Sequence, residues 1–243
     1  MLVVIFTTSS YSFISNFIKE KEQDNEYVQL QEIIQSNKTE RNNDEENGLS
    51  NENSKVSINL YNLYQKNNDL KGWIKIDGTN INYPVMQNTQ LYLNKNFYKN
   101  NSSYGTPFLA DYCDINTSDN LIIYGHHMKN GKMFANLEKY KDFNFYQNHK
   151  IVLLYTLQGN NTLENKYEII SCFKTTADEN GFKYYLFSKA NSKEDFNEYV
   201  KKCKELSFFN IEATAQYGDK LITLSTCEYS QKNGRIVVVA KKI

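Results

Sequence analysis

The 243-residue sequence predicts a mainly β fold, a closed or nearly closed β-barrel with peripheral helices. Hydrophobic residues make up 40% and aromatic residues 14% of the chain, which excludes a wholly disordered or collagen-like protein. Many short apolar runs alternate with turn signals, as strands do, and only a few segments show helical spacing. Many short strands with few helices are typical of a barrel.

The strand-like runs follow one another to the C-terminus. The first two, GWIKI and INYPVM, are separated by Asp77-Gly78, a dipeptide that favours a turn. Further runs lie at 106–110, 120–125, 150–157, 166–175, 183–187, 220–226 and 235–241.

Three segments of the same region have apolar residues at helical spacing. The first begins near Val56 and ends near Asn68, and the second extends from Lys132 to Tyr140. The third runs from Ser192 to about Leu206, where apolar residues recur on one side. These segments predict the peripheral helices.

The N-terminal part predicts a different organisation. Residues 1–18 carry no charge, and a helix of that length would reach about 27 Å, close to the hydrocarbon core of about 30 Å. We expect a membrane anchor or export segment there. It lacks the basic flank that such segments normally show. A frayed, poorly packed helix and a truncated N-terminus are the alternatives.

Residues 19–55 contain few large apolar side chains and predict a short helix to about Gln35 followed by a flexible stalk. Residues 56–243 are then the folded domain. The formal charge is zero, but residues 1–55 carry 5 basic and 10 acidic residues and the remainder carries 23 and 18. Because no strong basic field exists, the charge does not indicate a nucleic-acid partner.

Cys227 is the first candidate for chemistry, because it ends the strand-like run TLSTC and polar residues follow it. A thiol at the rim of a sheet is accessible to substrate, and a thiolate is a strong nucleophile. Most lone cysteines are instead small buried hydrophobic residues. The pattern places Cys172 and Cys203 in the core and Cys113 in a loop. No CxxC pair occurs for zinc or redox work.

His126 is the second candidate, since it follows the apolar run NLIIY and a glycine. An imidazole near Cys227 can accept the thiol proton and later deliver one to a leaving amine. Neighbouring strand residues point to opposite sides, so His127 is expected at the surface. No cysteine or carboxylate lies near the two histidines at ligand spacing, so the sequence predicts no metal and no cofactor.

Arg235 opens the run RIVVVAK eight residues after Cys227. A tight connection between two antiparallel strands would bring both residues to one rim. Only Arg41 and Arg235 are arginines among 28 basic residues, so an arginine in the folded part needs a reason. A guanidinium can stabilise an oxyanion with fixed donors. The alternative is that Arg235 is a cation at the edge of a strand with no catalytic or binding role.

Three segments resemble class B sortases, which are membrane-anchored cysteine transpeptidases of Gram-positive bacteria: GWIKIDGTNINYPVMQ, LIIYGHHMKNGKMFANL and TLSTCEYSQKNGRIVVVAKK. They extend from about Leu60 to Lys242. TLSTC followed by arginine on the next strand, with GH upstream, is a specific combination. The resemblance implies a closed eight-stranded sortase-type β-barrel with an N-terminal helix and a helix before the cysteine-bearing strand.

The resemblance also implies the site. His126 would be the general acid/base, Cys227 the nucleophile and Arg235 the group that stabilises the oxyanion and the substrate. Ser225 and Glu228, on either side of the nucleophile, match positions that line the family's substrate groove. Some class B members carry aspartate where this chain has Tyr229, so a Cys-His-Asp mechanism does not transfer.

The implied enzyme cleaves a C-terminal sorting signal of the NPxTx or SPxTx kind after threonine, through a thioacyl intermediate. It transfers the surface protein to a peptidoglycan amine. Its partners would be surface proteins that carry sorting signals, the amine acceptor, and the membrane through its N-terminus. We expect a single-pass location with the catalytic domain outside the cell. Two alternatives remain, a hydrolytic cysteine peptidase and a non-catalytic, membrane-anchored surface-binding module.

Overall fold

A computed structural model describes residues 18, 20–34 and 59–243. The contacts between residues divide the chain into two compact units, Met1–Asn59 and Leu60–Ile243. In the first unit residues 20–34 form helix α1. The predicted membrane segment, apart from Ile18, and the predicted stalk lie outside the described residues. Within the described ranges, no helix has both the length and the apolar character needed to cross a bilayer.

The second unit is built on eight strands that close into a barrel, which confirms the predicted fold class. The strands are β1 Leu70–Lys75, β2 Asn82–Gln87, β3 Phe108–Leu109, β4 Asn120–Tyr124, β5 Ile151–Gln158, β6 Asn161–Thr176, β7 Leu221–Glu228 and β8 Gly234–Lys242. Their order around the barrel is β1-β2-β3-β4-β7-β8-β6-β5, and β5 pairs with β1. The pairs β2–β3 and β4–β7 are parallel and the others are antiparallel.

Short helices connect the strands. They are α2 Tyr61–Lys66, α3 Thr89–Tyr92, α4 Phe143–Asn148 and α5 Lys193–Leu206, with 3₁₀ helices at Phe134–Lys141 and Tyr184–Leu186. Ser192 caps α5 by accepting a hydrogen bond from the amide of Asp195 at 3.2 Å. The segment predicted as a helix from Lys132 to Tyr140 is the first 3₁₀ helix, and α3 and α4 were not predicted.

One predicted strand is wrong. Residues 183–187 contain the 3₁₀ helix Tyr184–Leu186 rather than a strand. Tyr184 and Phe187 are buried in a cluster with residues of α5, outside the barrel. A short apolar run has no periodicity that distinguishes a strand from another buried segment, and here burial against a helix accounts for its apolar residues.

Two clusters of buried apolar residues within the barrel unit, residues 60–243, show which way the side chains of β7 face. Ile222 and Leu224 belong to the cluster that includes residues of every barrel strand, whereas Leu221 packs in the separate cluster with α5. Because side chains alternate along a strand, Cys227 is in phase with Leu221. The thiol therefore leaves the barrel on its outer side.

Candidate active site

Cys227 and Arg235 are direct partners across the pair of strands β7 and β8. Side chains of directly opposed residues in an antiparallel pair project to the same face. The close connection between the two strands, residues 229–233, thus brings the thiol and the guanidinium to one rim of the barrel. The Arg235 guanidinium donates to the carbonyl of Gly234 at 2.9 Å.

His126 reaches the same rim because β4 runs parallel to β7. The last pair of this ladder joins Tyr124 to Ser225. Beyond it, the amide of Gly125 donates to the carbonyl of Ser225 at 3.2 Å. The hydroxyl of Thr226 donates to the carbonyl of Gly125 at 2.7 Å. The next residue, His126, consequently lies beside the end of the strand that carries the thiol.

Gly125, the residue before His126, must be a glycine because the ring of Phe134 leaves no room for a Cβ atom. A Cβ atom on Gly125 would lie 2.6 Å from the ring of Phe134, too close for any side chain. Phe134 in turn donates its amide to the carbonyl of His126 at 2.9 Å. The aromatic ring and this hydrogen bond together set the path of the chain through the histidine.

His126, Ser225, Cys227 and Arg235 line one cleft of about 580 Å³. Most of the other residues that line the cleft were not predicted from the sequence. They are predominantly aromatic and aliphatic and include Leu93, Phe108, Tyr112, Tyr124 and Tyr185. A cleft of this size and character can hold a short peptide segment.

Cys227 differs from the other cysteines in exposure. It is partly exposed, whereas Cys113, Cys172 and Cys203 are buried and all four are free thiols. Burial raises the pKa of the three buried thiols, to about 12 for Cys203. A thiolate is therefore disfavoured at those three positions, which leaves Cys227 as the accessible nucleophile.

The ring of His126 has one anchored nitrogen. Its Nε2 atom lies 2.7 Å from the carbonyl oxygen of Leu93. Since a carbonyl oxygen can only accept, this contact requires the proton on Nε2, and the Nδ1 atom of a neutral ring is then the acceptor. The arrangement can therefore take up a proton at Nδ1.

His127 is partly exposed and is not among the residues that line the cleft. Its Nδ1 atom lies 2.9 Å from the carbonyl oxygen of Cys227, and its ring packs on Tyr229 with 5.2 Å between ring centroids. The chain has left the ladder of β4 at this point, so strand alternation no longer determines where the side chain points.

Ser225 borders the cleft but is only 1% exposed. Its hydroxyl shares a hydrogen bond of 2.6 Å with the hydroxyl of Tyr184. Burial raises the pKa of Tyr184 to about 12, although Ser225 and the charge of Arg235 act in the opposite direction. The serine thus connects the cleft to the 3₁₀ helix that contains Tyr184.

Glu228 is not among the residues that line the cleft. It follows Cys227 on the strand and therefore points to the opposite face. Its side chain is 2% exposed and pairs with Lys141 and Lys174, each at 3.1 Å. Burial acts to raise the pKa of Glu228, but hydrogen bonds from Ser230 and the two lysines outweigh it and lower the pKa to about 2.

A metal centre has no basis in the described residues. Within 18, 20–34 and 59–243, no group of three or more His, Cys, Asp or Glu side chains is arranged to hold a metal ion.

Comparison with known proteins identifies the family. The sortase domain model matches residues 74–243. Sortase B of Staphylococcus aureus is 32% identical over 253 residues, which cover 100% of this chain and 94% of that protein.

Solved structures agree. A substrate complex of S. aureus sortase B superposes with a TM-score of 0.77 at 30% identity, over 93% of this chain and 98% of that one. Sortase B of Clostridium perfringens has a TM-score of 0.69 at 36% identity, over 75% of this chain and 98% of that one. The chain therefore belongs to the sortase family, in class B, and is an enzyme of that family's kind, a cysteine transpeptidase.

Proposed function

We propose that this enzyme cleaves a C-terminal sorting signal of the NPxTx or SPxTx kind after its threonine and joins the released carbonyl to a peptidoglycan amine. Cys227 is the nucleophile, His126 the general acid/base and Arg235 the group that stabilises the oxyanion. One observation carries the proposal: these three side chains line a single cleft, although they come from separate parts of the chain.

The proposed reaction has two steps, formation of a thioester with Cys227 and transfer of the acyl group to the acceptor amine. Cys227 Sγ attacks the threonine carbonyl carbon while the thiol proton passes to His126. The S–C bond forms, the C–N bond of the scissile peptide breaks, and His126 protonates the departing amine. An acceptor amine then attacks the thioester and loses a proton to His126. The new amide bond forms as the S–C bond breaks, and the proton returns to sulfur.

Arg235 suits the oxyanion because its guanidinium is always charged and presents several donors in a fixed plane. Its place opposite Cys227 in the β7–β8 ladder supports this role. Donors that are already in place when charge develops on the carbonyl oxygen contribute about 3 kcal/mol each to lowering the barrier. Lysine supplies the same charge without the planar donor geometry.

The lining of the cleft supports a peptide substrate. Leu93, Phe108, Tyr112, Tyr124 and Tyr185 provide apolar and aromatic contact surface close to the thiol. We propose that Ser225, which lines the same cleft, contacts the sorting signal. Glu228, whose carboxylate is held by two lysines away from the cleft, is assigned to positioning the end of β7.

A fluorogenic sorting peptide and mass spectrometry test the proposal. Cys227→Ala should abolish cleavage, and Arg235→Lys should reduce kcat/KM by about 100-fold, since removal of one oxyanion donor typically costs about 100- to 1,000-fold. Iodoacetamide should label Cys227 alone, because the other three cysteines are buried. Those three cysteines also serve as an internal control for the labelling. Retained turnover in Cys227→Ala would reject the assignment.

The product distinguishes transfer from hydrolysis. With triglycine as a small primary amine, the peptide released from the enzyme should carry the added glycines. Without it, slow release to water should give the free acid. Free acid as the sole product at every amine concentration would instead identify a hydrolytic cysteine peptidase.

We also propose that the catalytic unit works on the outer side of the cell membrane and that residues 1–18 attach it there. The support is the uncharged composition of that segment. Fractionation of cells that express the full chain and a variant without residues 1–18 tests the idea. Equal amounts of both forms in the membrane fraction would contradict it.

A further inference from the structure

We propose that His127 is a positioning residue of this reaction, which holds the main chain of the nucleophile and thereby sets the approach of His126 to Cys227. The inference rests on the proposed function, because it concerns the same two reacting groups. It assigns a role to the second histidine of the pair, whose ring is not part of the cleft wall.

The central contact is between His127 Nδ1 and the carbonyl oxygen of Cys227, at 2.9 Å. The carbonyl can only accept, so His127 donates through Nδ1 whether the ring is neutral or charged. This hydrogen bond joins two segments that are 100 residues apart in the chain. It connects the residue after the general acid/base directly to the main chain of the nucleophile.

Tyr229 strengthens this connection from the other side. Its ring packs on the His127 ring, and its hydroxyl donates to the main-chain carbonyl of His127 at 3.2 Å. Each segment therefore contributes a side chain that binds the carbonyl of the other. The two hydrogen bonds run in opposite directions, so they resist both sliding and separation of the segments.

His126 lies between two such connections. Before it, the carbonyl of Gly125 accepts from the Thr226 hydroxyl at 2.7 Å. After it, His127 donates to the carbonyl of Cys227. Fixing the main chain on both sides limits where the His126 imidazole can lie, in addition to the contact of its Nε2 atom with the Leu93 carbonyl. A misplacement of about 1 Å between reacting groups can cost about 100-fold in rate.

A pair of variants separates positioning from general structural support. His127→Phe keeps a ring to pack on Tyr229 but removes the Nδ1 donor. His127→Asn keeps a donor, because its amide nitrogen is bonded to Cγ as Nδ1 is in histidine. With the fluorogenic peptide, we expect kcat to fall about ten-fold in His127→Phe. KM should stay within about two-fold, and His127→Asn should recover kcat to within about three-fold of the unmodified enzyme.

Three outcomes would overturn the inference. Equal kcat in His127→Phe and the unmodified enzyme would show that the hydrogen bond does not position the reacting groups. Equal losses in His127→Phe and His127→Asn would show that the donor is not the property that matters. Complete inactivity of His127→Asn, as expected for His126→Asn, would make His127 itself the acid/base.

A further variant keeps the test decisive if His127→Phe does not fold. Tyr229 is 68% exposed, so Tyr229→Phe removes only its hydroxyl bond to His127 and should leave the fold intact. We expect kcat to fall by about two- to three-fold with KM unchanged, and an unchanged kcat would overturn the inference. Failure of the proposed function is seen separately, as retained turnover in Cys227→Ala.

Discussion

Glu228 lies beside the nucleophile and offers the sharpest quantitative test of the site's construction. Its carboxylate is nearly buried, accepts from the amide and hydroxyl of Ser230 at 3.2 and 3.0 Å, and pairs with Lys141 and Lys174 at 3.1 Å. The substitution Glu228→Gln keeps the shape of the side chain but removes its charge. Two lysines would then face a neutral amide in place of a carboxylate.

The pKa of Glu228 gives the expected magnitude. Burial acts to raise the pKa of Glu228, but the hydrogen bonds and the two lysines outweigh it and lower the pKa from an ordinary 4.5 to about 2. The unfolded chain therefore takes up this proton near pH 4.5 and the folded chain near pH 2. The difference corresponds to about 3 kcal/mol of folding stability, complete above pH 4.5 and lost as pH falls toward 2.

Urea unfolding measured by tryptophan fluorescence can test this value. The single tryptophan, Trp73 on β1, is fully buried and reports on the barrel. Relative to the unmodified protein, Glu228→Gln should lose about 3 kcal/mol at pH 7 and roughly half of that at pH 3. The denaturant slope should not change, because the surface exposed on unfolding is the same.

Glu205 provides the matched control. It also pairs with two lysines, Lys201 and Lys202, but on the surface of α5 and with a side chain 48% exposed. Glu205→Gln should cost less than about 1 kcal/mol, because water screens exposed ion pairs. Equal losses in Glu205→Gln and Glu228→Gln, or a Glu228→Gln loss that does not shrink at low pH, would refute the reasoning.

Three further substitutions test other contacts of the site. Gly125→Ala should reduce kcat at least ten-fold, since its Cβ would meet the Phe134 ring at 2.6 Å and displace the following histidine; normal peptide kinetics would contradict this. Tyr112→Phe removes a 2.5 Å hydrogen bond to the carbonyl of Tyr185 at the cleft rim and should raise KM for the sorting peptide about two- to five-fold. An unchanged KM would exclude this role. Ser225→Ala leaves a buried tyrosine hydroxyl without its partner and should cost about 1 to 3 kcal/mol in urea unfolding; a loss below 0.5 kcal/mol, by the same measure, would count against it.

The pairing of Cys227 with Arg235 is the part of the site that local sequence predicts best. They are eight positions apart in the chain, and one close connection between antiparallel strands suffices to make them neighbours. His126 is different, because its place depends on the parallel pairing of β4 with β7. Strands so far apart in sequence carry no local signal of pairing. The resemblance to a family, rather than spacing, linked His126 to the other two residues.

Two details of the site show where sequence patterns mislead and where they suffice. The resemblance placed Glu228 on the groove beside Cys227, whereas strand alternation alone would have separated the two, because adjacent residues on one strand face opposite sides. Alternation also placed His127 away from the cleft, but it could not predict the contacts of the His127 ring with Cys227 and Tyr229, since β4 ends at Tyr124. The alternation of side chains between two faces predicts orientation only for residues within a paired strand.

The cleft walls explain why the aromatic residues around the thiol could not be predicted. The strands of the closed barrel are paired with neighbours and offer a peptide no free edge, so segments outside the ladder complete the cleft beside strand residues such as Phe108 and Tyr124. Leu93 follows α3, Tyr112 lies in the β3–β4 connection, and Tyr185 lies in the 3₁₀ helix between β6 and β7. None of these segments has a regular hydrophobic period.

Hydrogen bonds nevertheless bind these walls to the catalytic strands. Leu93 accepts from the His126 ring at 2.7 Å, and the Tyr112 hydroxyl is 3.3 Å from the hydroxyl of Tyr124, the last residue of β4. Strands thus position the reacting groups, while irregular segments shape the cleft. Substitutions in the walls should therefore change KM and peptide preference before they change kcat, whereas substitutions at the end of β4 or β7 should change kcat first.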